Sequence, residues 1–171
     1  TFANQCFTYY PGISVEGVEI DEKIADLAHE YFNLSEKTEV HVADGRSFLA
    51  TAGKYDAIMV DAYQDITIPF QMSSTEFFTE VKNHLTEGGV MVVNMNMRSE
   101  KEDAINDYLC DTIASVFEQT MTVRVKGGTN TELFAGDNPE MIRILEERLQ
   151  AMEEDGLRRH MERVIASLEE K

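Results

Sequence analysis

Residues 120–136 read TMTVRVKGGTNTELFAG, and this stretch decides the fold. Two runs rich in strand-favouring residues flank Gly127-Gly128, a pattern that predicts an antiparallel hairpin. The chain upstream has a different rhythm. Short apolar runs at 15–20 (VEGVEI), 38–43 (TEVHVA), 55–60 (YDAIMV) and 90–97 (VMVVNMNM) alternate with segments of helical periodicity. Alternation of that kind implies an α/β fold with a parallel sheet and helices on both faces. A plain dinucleotide-binding sheet continues in parallel, so the closing hairpin sets this chain apart.

The helices carry their own punctuation. Asp21 is the expected N-cap of a helix whose Ile24, Leu27, Ala28 and Tyr31 fall on one apolar face. RSFLATA (46–52) predicts a short helix. Ser73 with Glu76 three residues on has the form of a capping box. The helix that follows carries Phe77, Phe78, Val81 and Leu85 and is expected to end at Gly88-Gly89. VMVVNMNM suits a strand covered on both faces, and a helix is expected from about residue 100 to Phe117. Residues 1–137 read as one α/β domain, and residues 138–171 as charged helices broken at Gly156, a solvated amphipathic tail.

Composition narrows the partners. With 32 acidic against 15 basic residues the formal net charge is −17, which repels phosphate backbones and anionic lipid, so neither nucleic acid nor membrane is expected. A small cationic molecule is attracted instead. No apolar run approaches the roughly 20 residues that span a bilayer, and TFANQCFTYY lacks the form of a secretory leader. Cys6 and Cys110 suggest neither a disulfide framework nor a metal cluster. The four histidines lack metal-ligand spacing, so no metal is expected, and the reading is of a cytoplasmic protein.

Three acids then fall into a pattern. Glu19 ends the first strand, Asp44 the second and Asp61 the third, which in one parallel sheet places all three at the carboxyl rim, where ligands bind. Glu19 is placed to accept the ribose hydroxyls of a nucleoside, or else to brace the next turn. Asp44 with Gly45 allows close approach of a flat base, or simply turns the chain into the short helix. Asp61, with Tyr63, Gln64 and Asp65 behind it in a long loop, is placed to bind a substrate amine and accept its proton.

The segments VEGVEIDEKIADLAHEYFNL, VHVADGRSFL and YDAIMVDAYQD through LTEGGVMVVNM together resemble the spermidine synthase family, over residues 13 to about 97 and more loosely to Gly136. The resemblance implies a Rossmann-like S-adenosylmethionine-dependent transferase sheet with the C-terminal antiparallel hairpin. It implies Glu19 at the ribose of decarboxylated S-adenosylmethionine, Asp44 and Gly45 at the adenine, and Asp61 as base and amine anchor. The implied reaction is attack of a putrescine nitrogen on the aminopropyl carbon beside the sulfonium. Gln64 stands where the family carries a second acid, with Asp65 one residue later, as in its spermidine synthase-like branch.

The family's first strand and glycine-rich loop would precede Thr1, so both are expected to be missing from this sequence. The sequence is therefore expected to be a fragment, or its sheet to be completed by another chain or rearranged, since unpaired backbone in a core is costly. A homodimer is left open. Two rivals stay beside aminopropyl transfer: a small-molecule methyltransferase using S-adenosylmethionine, and a non-catalytic nucleoside-binding or structural domain.

Overall fold

The computed structural model describes residues 2–10, 12–63, 68–96, 100–124, 130–153 and 155–170. They divide into two units, Thr1–Ala52 and Gly53–Lys171.

The first unit runs α1 (Phe2–Tyr9), β1 (Val15–Glu19), α2 (Glu22–Phe32), β2 (Thr38–Val42) and α3 (Gly45–Leu49). β1 and β2 pair in parallel, from Val15 opposite Thr38 to Glu19 opposite Val42. Asp21 caps α2 as expected, its side chain accepting from the Lys23 amide at 2.8 Å. The helix ends at Asn33, whose left-handed backbone (φ 52°) turns its N–H back to the Ala28 carbonyl. Asn4 then ties α1 to this end: its Nδ2 donates to the Asn33 carbonyl at 2.7 Å, and its Oδ1 accepts from the Ser35 amide at 3.0 Å.

The expected apolar face of α2 is not the buried one. Ile24, Leu27 and Tyr31 are exposed, and the fully buried residue of the helix is Ala25. A 3.6-residue period groups side chains on a face; only a covering layer buries them.

The second unit runs β3 (Tyr55–Val60), a 3-10 turn (Phe70–Met72), α4 (Thr75–Asn83), β4 (Leu85–Asn96), α5 (Glu100–Ala114), β5 (Gln119–Arg124), β6 (Asn130–Gly136), α6 (Met141–Gln150), α7 (Asp155–Ile165) and β7 (Glu169–Glu170). Its strands form one sheet in the order β3-β4-β6-β5-β7. β3 and β4 are parallel, and β6 and β5 run antiparallel beside them, so the expected hairpin is present. Its turn at Gly127-Gly128 lies outside the described residues. Among the described residues the seven strands thus form two sheets, and β1 and β3 lie in different ones.

Four local expectations shift. The cap of α4 is Ser74, accepting from the Phe77 amide at 3.3 Å, one residue after the expected Ser73. α4 stops at Asn83, and Leu85 already belongs to β4. β4 is sealed on one face only: Met91, Val93 and Met95 are buried, while Val92 and Asn94 between them are half-buried. The break between α6 and α7 falls before Gly156, which sits in the first turn of α7.

The core of this unit lies on the sealed face. Phe77, Phe78 and Val81 of α4 and Ile113 of α5 are fully buried, as are Met91, Val93, Leu133 and Ala135 of the sheet. Phe77 and Phe78 meet edge to face at 5.4 Å between ring centres, a favoured aromatic geometry. Lys82 closes the rim: its Nζ reaches Asp137 Oδ2 at 2.7 Å and the Val116 carbonyl at 2.8 Å, joining the ends of three elements.

The entry of β4 is a wide bulge, with two residues along β3 (Tyr55 to Ala57) spanned by five along β4 (Leu85 to Val90). Gly88 makes the bend at φ +78°, and Gly89 packs so closely that a Cβ would lie 3.0 Å from the Thr86 carbonyl oxygen and 3.2 Å from that of Asp56. Backbone oxygens cannot step aside cheaply. Gly89→Ala is therefore expected to cost about 1–3 kcal/mol, read as a lower urea midpoint; an unchanged midpoint would show that the bulge relaxes.

Candidate active site

Glu19 and Asp44 sit at the carboxyl end of adjacent parallel strands in the first unit. Glu19 Oε1 accepts from the Asp21 amide at 3.0 Å, so one oxygen braces the turn into α2. Asp44 is the N-cap of α3, its Oδ1 accepting from the Ser47 amide at 2.8 Å. Its carboxyl is held below the usual carboxylate value, first by the Ser47 side chain, then by that amide and the Arg46 charge, against a small burial penalty. The turn and capping readings of both acids are thus realised. Gly45 opens α3 directly behind Asp44.

Asp61 lies one residue beyond β3 in the second unit. β3 is half-exposed, with Val60 its one fully buried residue, and Asp61 itself is exposed. The carboxylate needs no partner to repay burial. It has one nevertheless: Asn94 Nδ2 donates to Asp61 Oδ1 at 2.9 Å.

Asn94 is in turn held from two sides. Asn130 Nδ2 donates to Asn94 Oδ1 at 2.8 Å, and the Tyr63 hydroxyl donates to the Asn94 carbonyl. With Oδ1 engaged as an acceptor, the amide has one orientation, with its N–H₂ toward Asp61. Strand register explains the convergence. Val60 pairs with Val93, so Asp61 and Asn94 are the next positions along β3 and β4, and Asn94 pairs with Glu132 of β6. Paired residues share a sheet face, so Asp61, Asn94 and Glu132 form a polar row across three strands.

Glu132 is the unusual member. Its Oε2 is sealed from solvent and has no hydrogen-bond partner among the described residues. Its carboxyl is pushed above the usual value, first by burial and then by the negative charge of Asp61.

The structure brings Glu19 and Asp44 together in one unit, and Asp61 and Tyr63 together in the other. Gln64 and Asp65 lie outside the described residues. Asn94, Asn130 and Glu132 were not singled out from the sequence. VMVVNMNM reads as core, yet its asparagine at 94 alternates with buried Val93 and Met95, which places it on the face of Asp61. Among the described residues no group of three or more His, Cys, Asp or Glu side chains has metal-binding geometry, and no helix is long and apolar enough to cross a membrane.

Acids thus stand at strand ends in both units, and comparison with known proteins gives the class. Residues 8–127 match the spermine/spermidine synthase domain, and the chain belongs to that family. It is 60% identical over 138 residues to a probable polyamine aminopropyl transferase of Bifidobacterium longum, covering 79% of this chain and 31% of that protein. The chain thus spans about a third of the length of this relative. Among solved structures, human methyltransferase-like protein 13 in complex with SAH aligns with a TM-score of 0.72 and 25% identity, over 94% of this chain and 75% of that one. A probable spermidine synthase from Corynebacterium glutamicum aligns with a TM-score of 0.69 and 23% identity, over 80% and 52%. The Rossmann-like transferase fold expected from the hairpin is the fold of these neighbours.

Proposed function

We propose that this chain is part of a polyamine aminopropyltransferase, its first unit supplying nucleoside-binding residues and its second amine-binding residues. The observation that carries the reading is Asp61: one oxygen is fixed by Asn94, and no described residue donates to the other. That second oxygen is available to a substrate N–H. In the proposed reaction the amine lone pair forms a C–N bond to the aminopropyl carbon while the C–S bond breaks. The sulfonium leaves as neutral methylthioadenosine, and the extra proton on nitrogen passes to Asp61. The leaving group needs no acid, so positioning of the two substrates supplies much of the remaining acceleration.

Glu19 and Asp44 fit the nucleoside half. Glu19 keeps an oxygen beyond its bond to the Asp21 amide for the ribose hydroxyls, and Asp44, with Gly45 behind it, is assigned to the adenine amino group. Decarboxylated S-adenosylmethionine is the proposed co-substrate and a small amine the acceptor, in the cytoplasm. Glu19→Gln is expected to weaken methylthioadenosine binding by about tenfold, roughly 1.4 kcal/mol, measured by calorimetry. Unchanged affinity would remove Glu19 from the ribose site.

The deciding experiment is putrescine-dependent release of methylthioadenosine from decarboxylated S-adenosylmethionine by the chain as given. Methyl transfer from S-adenosylmethionine without aminopropyl transfer would establish the second reading, a small-molecule methyltransferase, which the likeness to the human methyltransferase favours.

A further inference from the structure

Asn94 stands between two carboxylates and has one N–H₂ to give. On one side Asp61, the next position along β3, accepts from its Nδ2 at 2.9 Å. On the other side Glu132 is its direct cross-strand partner on β6, close enough for the two side chains to interact. Glu132 Oε2 is sealed from solvent and has no hydrogen-bond partner among the described residues. A buried acceptor without a donor is unfavourable, whereas Asp61 is exposed and open to water. Hydrogen-bond energetics alone would turn the N–H₂ of Asn94 toward Glu132. It faces Asp61.

Asn130 accounts for the orientation. β6 pairs antiparallel with β4, placing Asn130 opposite Asn96 and Glu132 opposite Asn94. Asn130 therefore shares the face of Glu132 and lies diagonal to Asn94. Its Nδ2 donates to Asn94 Oδ1 at 2.8 Å. An ionised carboxylate only accepts, so the edge of Asn94 that meets Asp61 must be its N–H₂. The opposite edge is then its oxygen, and whatever meets that edge must donate. Donation thus runs one way, from Asn130 to Asn94 to Asp61. The Tyr63 hydroxyl, donating to the Asn94 carbonyl, steadies the backbone beneath the amide. A half-turn of the Asn94 amide would aim its N–H₂ at β6, where Glu132 lies, and its oxygen at Asp61. That turn breaks both bonds of the chain and sets two N–H₂ groups face to face.

We infer that Asn130 is a positioning residue: by donating to Asn94 it keeps that amide on Asp61 and away from Glu132, and so fixes the carboxylate that takes the proton. This rests on the assignment of Asp61 as the base in amine transfer. Asn130 acts through Asn94 and not on the substrate. An arrangement serving stability alone would have the amide the other way round. The fold instead leaves a buried oxygen unsatisfied and holds an exposed carboxylate in place.

The test uses Asn130→Ala, which removes the donor, and Asn130→Ser, which keeps a shorter one, each in wild type and in Asp61→Asn. In single turnovers of putrescine with decarboxylated S-adenosylmethionine, Asn130→Ala is expected to slow amine transfer by about 10–100-fold. Asn130→Ser is expected to recover part of that loss. In the Asp61→Asn background Asn130→Ala is expected to leave the residual rate unaltered, because no base remains to be aligned. An unslowed Asn130→Ala, or a loss of equal size in both backgrounds, overturns the inference.

A second readout needs no activity. The side-chain amide signal of Asn94 in a heteronuclear NMR spectrum is expected to move on Asp61→Ala, which removes its acceptor. In Asn130→Ala the amide is free to turn toward β6, and the same substitution at Asp61 is expected to leave the signal in place. A signal that answers to Asp61→Ala equally in both backgrounds overturns the role of Asn130. Should wild type release no methylthioadenosine, the proposed function fails, and this spectrum still upholds or overturns the positioning of Asp61 by Asn130.

Discussion

Asp61→Asn is expected to lower the rate of amine transfer by about 10²–10⁴-fold, roughly 3–5.5 kcal/mol of transition-state stabilisation. The change is nearly isosteric and leaves the local structure its anchor, because an amide at this position still offers an oxygen to Asn94 Nδ2. What disappears is the ability to take a proton from the attacking nitrogen, together with the charge that draws an ammonium in. Methylthioadenosine binding is expected to stay within about tenfold of wild type, since the nucleoside is assigned to Glu19, Asp44 and Gly45 on other elements. Rapid-quench measurement of single turnovers, with nucleoside affinity taken separately, checks both halves. A variant that turns over at the wild-type rate removes Asp61 from proton transfer, whatever the rest of the site does.

The largest expected effect on stability belongs to Phe78→Ala. The ring is completely buried, meets Phe77 edge to face, and lies in the layer where α4 covers the sheet. Truncation removes its transfer free energy and leaves a cavity that the surrounding core fills only in part. The expected loss is about 3–5 kcal/mol, a large share of the roughly 5–15 kcal/mol that holds a domain together. In a domain of this size that lowers Tm by about 6–20 °C. Denaturant titration followed by circular dichroism reads it directly; a loss below about 1 kcal/mol would contradict the burial of the ring.

How far the sequence could be read depended on whether a feature is local. Asp21 and the Asn33 end of α2 are set by a few adjacent residues, so the cap was legible. The hairpin and the strand–helix alternation were legible for the same reason, and with them the fold. Ser74 replaced Ser73 because two adjacent serines offer the same chemistry and the preceding 3-10 turn claims the first as its own end. The exposure of Ile24, Leu27 and Tyr31 was not legible, because periodicity does not say what covers a face. Asp61 was found because a charge interrupts its apolar run. Glu132 was passed over because an acid in an alternating strand looks like the solvent side, and only the pairing of β6 with β4 places it beside Asn94.

The two outer strands of the five-stranded sheet differ in a way that bears on solubility. At one side β5 is covered by β7, a pair of glutamates that present charge where another strand would otherwise add. At the other side β3 has no strand partner beyond it among the described residues, and Met59 is exposed along it. An open row of backbone donors and acceptors is a template for a further strand, and acidic terminations are a usual way to suppress one. Growth of the sheet past β5 therefore meets the like charge of Glu169 and Glu170, so an added strand on that side would have to bring its own cations.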